Sequence, residues 1–174
     1  MKSFSIIVAL DSQNGIGKNG QLPWRLSLDL KHFKEITTAV VDPTKKNALI
    51  MGRKTWESLP EKFRPLPGRV NVVLSQKGGL SLPSGVLCFQ SLDEALSQLS
   101  SSIENIFVIG GAQVYAQAIG HPLCQKLYVT HVQGEHGCDA FFPPISHQFL
   151  PISASEPHTE GEQIFYFSDY SRFA

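Results

Sequence analysis

A single carboxylate, Asp29, stands among leucines and aromatics in the stretch GQLPWRLSLDLKHFK, residues 20–34. Phe33 and Thr37 follow it at i+4 and i+8, so on a helix they share its face, with Leu30 beside it and Pro23 and Trp24 just ahead. A first-turn carboxylate answering the N–H groups and dipole of a helix capped by Ser27 would explain part of this pattern. An acid on the same stripe as a phenylalanine, however, is costly to bury unless something accepts its charge or its hydrogen bonds. The chemistry this predicts is a grip on a cationic or amidine-like, N–H-rich heterocycle. Burial would raise the pKa of such an acid and a helix N-terminus would lower it; the sequence leaves the balance open.

Two further stretches share a design. FVIGGAQVY, residues 107–115, ends an apolar strand in Gly110-Gly111 and passes at once into a helical pattern. Glycines there let backbone approach a ligand closely, and the helix start offers N–H groups to a phosphate. IMGRKTWESLP, residues 50–60, runs from strand through Gly52 to the cations Arg53 and Lys54, then Thr55 at a helix start. Either turn alone would serve as a tight bend or a solvated basic corner, and neither has the G-x-G-x-x-G or phosphate-loop spacing. Both in one small sheet protein point to a dinucleotide. In RPLPGRVNVVLS, residues 64–75, two prolines and a glycine stiffen the approach to Arg69, a fork-shaped cation suited to a carboxylate.

These residues need strands and helices to hold them. Short apolar runs bounded by Gly, Pro or Asn recur at FSIIVAL, NALIMG, RVNVVLS, GVLCF, NIFVIGG, KLYVTHV and QIFYFSDY. Helical patterns fall between them: Leu28 to Thr37, a short turn from Thr55, Leu92 to Leu99 after Ser91, and Gln113 to Ile119. That alternation predicts parallel strands joined by crossovers, and the helix-free final third predicts an antiparallel end to the sheet. The 174 residues suit a single α/β domain, 1–174, and SQKGGLSLPSG reads as a loop within it.

Composition narrows the function. Fifteen basic and fifteen acidic residues cancel, so there is no basic field for a nucleic-acid backbone or an anionic membrane. Cys88, Cys124 and Cys138 are odd in number and far apart, which argues against a disulfide framework and for a reducing compartment. No stretch reaches the ~20 apolar residues of a membrane span, and the N-terminus reads as a first strand. In HVQGEHGCD, the residues His131, His136 and Cys138 lack a second ligand pair at metal spacing, so no metal is expected. A soluble, cytoplasmic monomer is the expectation, since no long apolar surface stripe is evident.

With GIGKNGQLPW, an Asp five residues after that Trp, IMGRKTWESLP, RPLPGR, VIGGAQVY, LYVTHV and FFP in order, the sequence resembles dihydrofolate reductase from Phe4 to about Tyr170. The resemblance implies an eight-stranded, mostly parallel mixed sheet with flanking helices and an antiparallel C-terminal strand. It implies hydride transfer from NADPH to 7,8-dihydrofolate, with antifolates such as methotrexate or trimethoprim as further ligands. Asp29 would then bind the pteridine ring N–H and exocyclic amino group, and Thr130 would orient it. Leu22 and Trp24, with Ile16 to Gln21, would form a mobile loop over the reacting rings. Ile7, Val8, Leu30, Phe33, Leu66 and Ile109 would line the substrate cleft, and Arg69 would clamp the glutamate tail.

On the cofactor side the resemblance implies Ala9, Ile16, Gly17, Gly20, Gly52, Leu74, Gln76, Ile109, Gly110, Gly111, Ala112, Gln113, Val114 and Tyr115 as neighbours. Arg53, Lys54, Thr55 and Ser75 would take the phosphates. Where family members usually add a second cation for the 2′-phosphate, this sequence has Gln76, Gln90 and Gln113, so preference for NADPH rests on Arg53 and Lys54 with Ser75. Two rivals share the fold: a riboflavin-pathway reductase acting on a ribosylated pyrimidine, and a catalytically silent folate-binding module. Asp29, Phe33 and Arg69 together favour the folate substrate.

Overall fold

Val, Ile and aromatic residues dominate the apolar runs, and such side chains suit a pleat buried on both faces. The computed structural model describes residues 1–173. Its strands are β1 (Phe4–Leu10), β2 (Gly15–Gly17), β3 (Lys46–Gly52), β4 (Val70–Leu74), β5 (Leu87–Phe89), β6 (Ile103–Gly110), β7 (Cys124–Val132), β8 (Ala140–Phe141), β9 (Phe149–Ala154), β10 (His158–Glu160) and β11 (Gln163–Arg172). Its helices are α1 (Ser27–Thr38), α2 (Arg53–Ser58), α3 (Leu92–Gln98) and α4 (Ala112–Ile119).

The main sheet runs β11-β7-β1-β6-β3-β4-β5, with β9 and β10 both paired to β11. Those two short strands share the outer edge of β11, Phe149–Ala154 along one part and His158–Glu160 along the other, so nine strands fill eight positions. From β7 to β5 every neighbour is parallel, and β11 is antiparallel to β7. This is the mixed, mostly parallel α/β sheet expected. Alternate residues of β3 go to opposite sides: Ala48 and Ile50 pack with Leu92 and Leu96 of α3 and Ala118 of α4, while Leu49 and Met51 pack with Phe33 of α1 and Trp56 of α2. Full burial of a Leu, Ile or Met among them stabilises by about 1.5–3 kcal/mol.

One local expectation is corrected. Ser27 does not cap α1; Leu26 occupies the cap position and makes no side-chain cap bond. Instead Glu160 of β10 reaches the helix start, accepting from the Ser27 N–H at 2.9 Å and from its hydroxyl at 2.8 Å. A charged carboxylate offers more to these donors than a neutral hydroxyl, and Ser27 becomes a donor itself. Away from the main sheet, β2 pairs antiparallel with β8, tying the segment after β1 to the segment after β7. Among the described residues no helix is long and apolar enough to cross a membrane.

Candidate active site

Because Glu160 holds the start of α1, Asp29 is not needed there. It turns instead toward β7, where the Thr130 hydroxyl donates to its Oδ1 at 2.6 Å. Thr130 is itself 4% exposed. Oδ2 accepts no hydrogen bond among the described residues. Burial pushes the Asp29 carboxyl above the usual carboxylate value, against the pull of the Thr130 bond and of nearby His32. The balance left open by the sequence thus falls on the side of burial. His32, three residues on, stacks on Phe167 of β11 with ring centroids 3.8 Å apart.

The walls around the acid are apolar. Ile7, Phe33, Leu66 and Ile109 belong to one cluster on the α1 face of the sheet. Val8 does not join them: its side chain packs in the cluster on the opposite face, because successive strand residues alternate. Leu30, beside Asp29, is 49% exposed and Leu22 is 51% exposed. The Tyr115 hydroxyl donates to the Ile7 carbonyl at 2.8 Å. Burial first, and then the charge of Asp29, push its pKa far up, so it stays a donor.

Arg69 sits at the other end of α1. Its Nη1 donates to the Thr37 hydroxyl at 2.9 Å and its Nε to the Pro67 carbonyl at 2.9 Å, which fixes the plane of the guanidinium. Asn71 orders the preceding Pro-rich segment, accepting from the Leu66 N–H and donating to the Leu66 carbonyl, each at 2.9 Å. Arg69 is 8% exposed, and burial lowers its pKa from a high value without discharging it. Nη2 has no protein partner among the described residues. Asp29 and Thr37 are eight residues apart on one helix, about 12 Å along its axis. The α1 face therefore offers a half-buried acid at one end and, through Thr37, a clamped cation at the other, with Phe33 between them and Leu66 in the same apolar cluster.

The two glycine turns are brought together because β3 and β6 are neighbours. A Cβ on Gly111 would stand 3.2 Å from Thr55 Oγ1, and one on Gly52 would stand 3.2 Å from Val114 Cγ2. Gly110 has φ of +131°, and a Cβ there would meet Thr55 Oγ1 and the Tyr115 ring at 3.4 Å; the Gly110-Gly111 peptide is cis. Only glycines leave this junction open. Ala112 and Gln113 follow on α4, with Gln113 exposed. Arg53 and Lys54 are exposed at the start of α2, where Arg53 Nε donates to Glu57 at 2.7 Å and Lys54 makes no ion pair among the described residues. Leu74 and Ser75 are buried at the end of β4, the Ser75 hydroxyl donating to the Lys77 carbonyl at 2.9 Å, and Gln76 is exposed.

The segment after β1 completes the site. Ala9 and Phe167 pack on the cluster that contains Trp24, and Ile16 packs on the main core. Gly17 lies in β2, and Gly20 has φ of +77° with open space around it. The Asn19 N–H donates to Asp139 at 3.0 Å, and the Asp139 N–H donates to the Gly17 carbonyl at 2.9 Å. Trp24 is 6% exposed and its Nε1 is buried without a partner. The roles of Glu160, Thr37 and Asn71 escaped the sequence reading. Thr37 was visible on the Asp29 stripe, but nothing local signals that its hydroxyl holds Arg69.

The family model described as "Dihydrofolate reductase" matches residues 3–172. A "Bifunctional dihydrofolate reductase-thymidylate synthase" of Glycine max is 43% identical over 98% of this chain and 34% of its own length. The chain thus spans about a third of the length of the bifunctional plant relatives it matches. A "Dihydrofolate reductase" of Heliothis virescens is 40% identical over 97% of this chain and 96% of its own. One of Drosophila melanogaster is 42% identical over 94% and 91% respectively.

Proposed function

The chain belongs to the dihydrofolate reductase family, and on that premise we propose that it transfers a hydride from NADPH to 7,8-dihydrofolate, giving 5,6,7,8-tetrahydrofolate for one-carbon metabolism. The carrying observation is the half-buried Asp29, held by Thr130 at one end of α1, with the clamped Arg69 at the other. A folate has the matching shape: an amidine-like head, an aromatic spacer and a carboxylate tail. A ribosylated pyrimidine has no use for that span, which disfavours the riboflavin-pathway reading. The silent-module reading has no support in a site that keeps its acid, its loop and its glycine junction.

The residues divide the work. Asp29 accepts hydrogen bonds from the pteridine ring N–H and the exocyclic amino group, with Thr130 fixing its plane. Ile7, Leu30, Phe33, Leu66 and Ile109 pack on the rings, Val8 contributes backbone, and Arg69 takes the α-carboxylate of the tail. Leu22 and Trp24, on the segment from Ile16 through Gly17 and Gly20, cover the reacting atoms and limit water. Hydride transfer to C6 requires a proton at N5, and Asp29 biases the bound pteridine toward accepting that proton from water. Positioning plus this electrostatic bias supply the catalysis.

The junction of Gly52, Gly110 and Gly111 fits a dinucleotide, because a Cβ at any of them would crowd it. NADPH supplies the hydride when bound there. Arg53, Lys54, Thr55 and Ser75 hold its phosphates, Ala9, Leu74 and Gln76 border it, and Ala112 through Tyr115 flank the nicotinamide side. Glu57 engages part of the Arg53 charge, so discrimination against NADH rests chiefly on Lys54 and the free edge of Arg53. The same cleft takes methotrexate or trimethoprim, whose diamino heterocycles present the same N–H edge. Residues 1–174 act as one reductase domain, monomeric and cytoplasmic, without metal, nucleic acid or membrane.

The test is loss of near-ultraviolet absorbance when purified protein meets dihydrofolate with NADPH, then with NADH. Rapid dihydrofolate-dependent oxidation is expected, faster with NADPH. No oxidation with either cofactor, from folded protein that binds methotrexate, would make this a folate-binding relative without hydride transfer.

A further inference from the structure

Two buried polar atoms have no hydrogen-bond partner in the described structure, Trp24 Nε1 and His136 Nδ1, and they belong to rings in contact. The rings meet edge to face, with centroids 5.1 Å apart and an interplanar angle of 77°. His136 is held on two other sides. Its backbone N–H donates to Asp11 Oδ2 at 3.0 Å, and its Nε2 lies 2.9 Å from Gln163 Oε1. With Nε2 donating to that amide oxygen, the neutral ring has its lone pair on Nδ1, 3.8 Å from Asp11 Oδ2.

Asp11 is an ionised group with a structural task. It is 2% exposed and accepts from the N–H groups of Gln13 at 2.9 Å and Gly15 at 2.8 Å, which shapes the chain between β1 and β2. Burial alone would raise its pKa, but these N–H groups, that of His136 and the Cys138 thiol together hold it below the usual carboxylate value. An anion therefore lies 3.8 Å from a bare imidazole nitrogen, beyond hydrogen-bond distance. On the far side, Gln163 is paired across the hairpin with Glu160, the carboxylate that holds the start of α1 just ahead of Asp29.

We infer that His136 is a positioning residue of the active site, setting the Trp24 indole and, through Asp11 and Gln163, joining the segment that follows β1 to the start of α1. The charged and titratable groups around the ring are accounted for. Asp11 lies at the start of the segment after β1, and Cys138 is on the ring's own loop, with its thiol pKa raised by burial and by Asp11. The Lys18 ammonium lies beside Gly137. Asp139 is engaged by Asn19, and Glu135 precedes the ring in sequence. Glu160 is spent on Ser27. Asp11 is the anion within 4 Å of Nδ1.

The kinetic consequence rests on the reductase reading; the structural one does not. The experiment follows the Trp24 indole N–H by ¹H–¹⁵N NMR, assigned by its loss in Trp24→Phe and recorded without substrate or cofactor. The Trp24 signal is expected to broaden in His136→Ala, which removes the edge contact and the bond to Gln163, and to broaden less in His136→Phe, which keeps the edge contact. An equally sharp signal in His136→Ala overturns the inference whether or not the protein reduces dihydrofolate. Gln163→Met serves if His136→Ala fails to fold: loss of the bond to Nε2 should broaden the Trp24 signal, and an unchanged signal also overturns the inference. In the reductase assay, His136→Phe should lower kcat about 2- to 30-fold, the range for couplings through packed side chains, with KM for dihydrofolate changed less than kcat. A change confined to KM contradicts the positioning role.

Discussion

Replacing Asp29 with Asn exchanges one oxygen for an amide group and removes the charge, while the side chain keeps its shape. The remaining oxygen can still accept from Thr130, which now donates to Asp29 Oδ1 at 2.6 Å. What disappears is Oδ2, the carboxylate oxygen without a partner among the described residues, and with it the charge behind both bonds to an N–H-rich ligand edge. Hydrogen bonds to a charged group contribute about 1.5–3 kcal/mol each. Losing the advantage of two costs about 3–6 kcal/mol, or about 10²- to 10⁴-fold in turnover at neutral pH. Stability should move the other way. Burial raises the Asp29 pKa in the folded state, so folded protein holds this proton more tightly than unfolded chain. The resulting stability is present in acid and lost as pH rises from the ordinary carboxylate value through the raised one. At neutral pH the ionised group is therefore a net cost, and Asp29→Asn should melt higher than wild type there, with the gap closing in acid. Steady-state NADPH oxidation and thermal unfolding against pH measure both. Near-normal turnover, or a variant less stable at neutral pH, would refute the assignment of a destabilising, working acid.

Other substitutions separate the remaining parts. Arg69→Leu should raise KM for dihydrofolate roughly 10²-fold or more by removing a charged two-bond clamp, while a substrate lacking the glutamate tail responds little; equal effects on both substrates would place Arg69 elsewhere. Thr37→Val, which deletes only the brace at 2.9 Å from Nη1, should cost about 1 kcal/mol, or roughly fivefold in the same KM. Gly110→Ala puts a side chain at φ of +131° and 3.4 Å from Thr55 Oγ1 and the Tyr115 ring, so NADPH affinity measured by fluorescence titration should fall about tenfold or more; Gly120→Ala, with no atom within 4 Å of its added Cβ, should leave it unchanged. Glu160→Gln should lower the melting temperature at neutral pH. Hydrogen bonds from Ser27 hold the Glu160 carboxyl below its usual pKa, so the stability it contributes is lost as pH falls through that lowered value, and the variant and wild type should converge there.

The strands easiest to read were those buried on both faces. FSIIVAL became β1 without a change of boundary, since continuous apolar runs leave little choice of register. β9 and β10 were not legible: FLPISA is mostly exposed and carries a proline, HTE is three residues long, and both exist because β11 offers an unpaired edge. The β2–β8 pair is equally short and depends on residues more than a hundred positions apart. At the site, Asp29 stood out because an acid on an apolar stripe asks for a reason. Its partner Thr130 lies 101 residues away, and the helix start is held by Glu160, 133 residues from Ser27. No local rule reports such pairings. The two glycine turns each looked ordinary alone, and it is the adjacency of β3 and β6 that makes them one surface.

The central claim is that Asp29 grips an N–H-rich heterocycle as an anion. Calorimetry of methotrexate binding to wild type and Asp29→Asn, in two buffers of different ionisation enthalpy, tests it most directly. The account predicts proton uptake on binding to the wild type, and affinity about 10²-fold weaker or worse with the uptake lost in the variant. Equal affinity and equal proton uptake in the two proteins would contradict it.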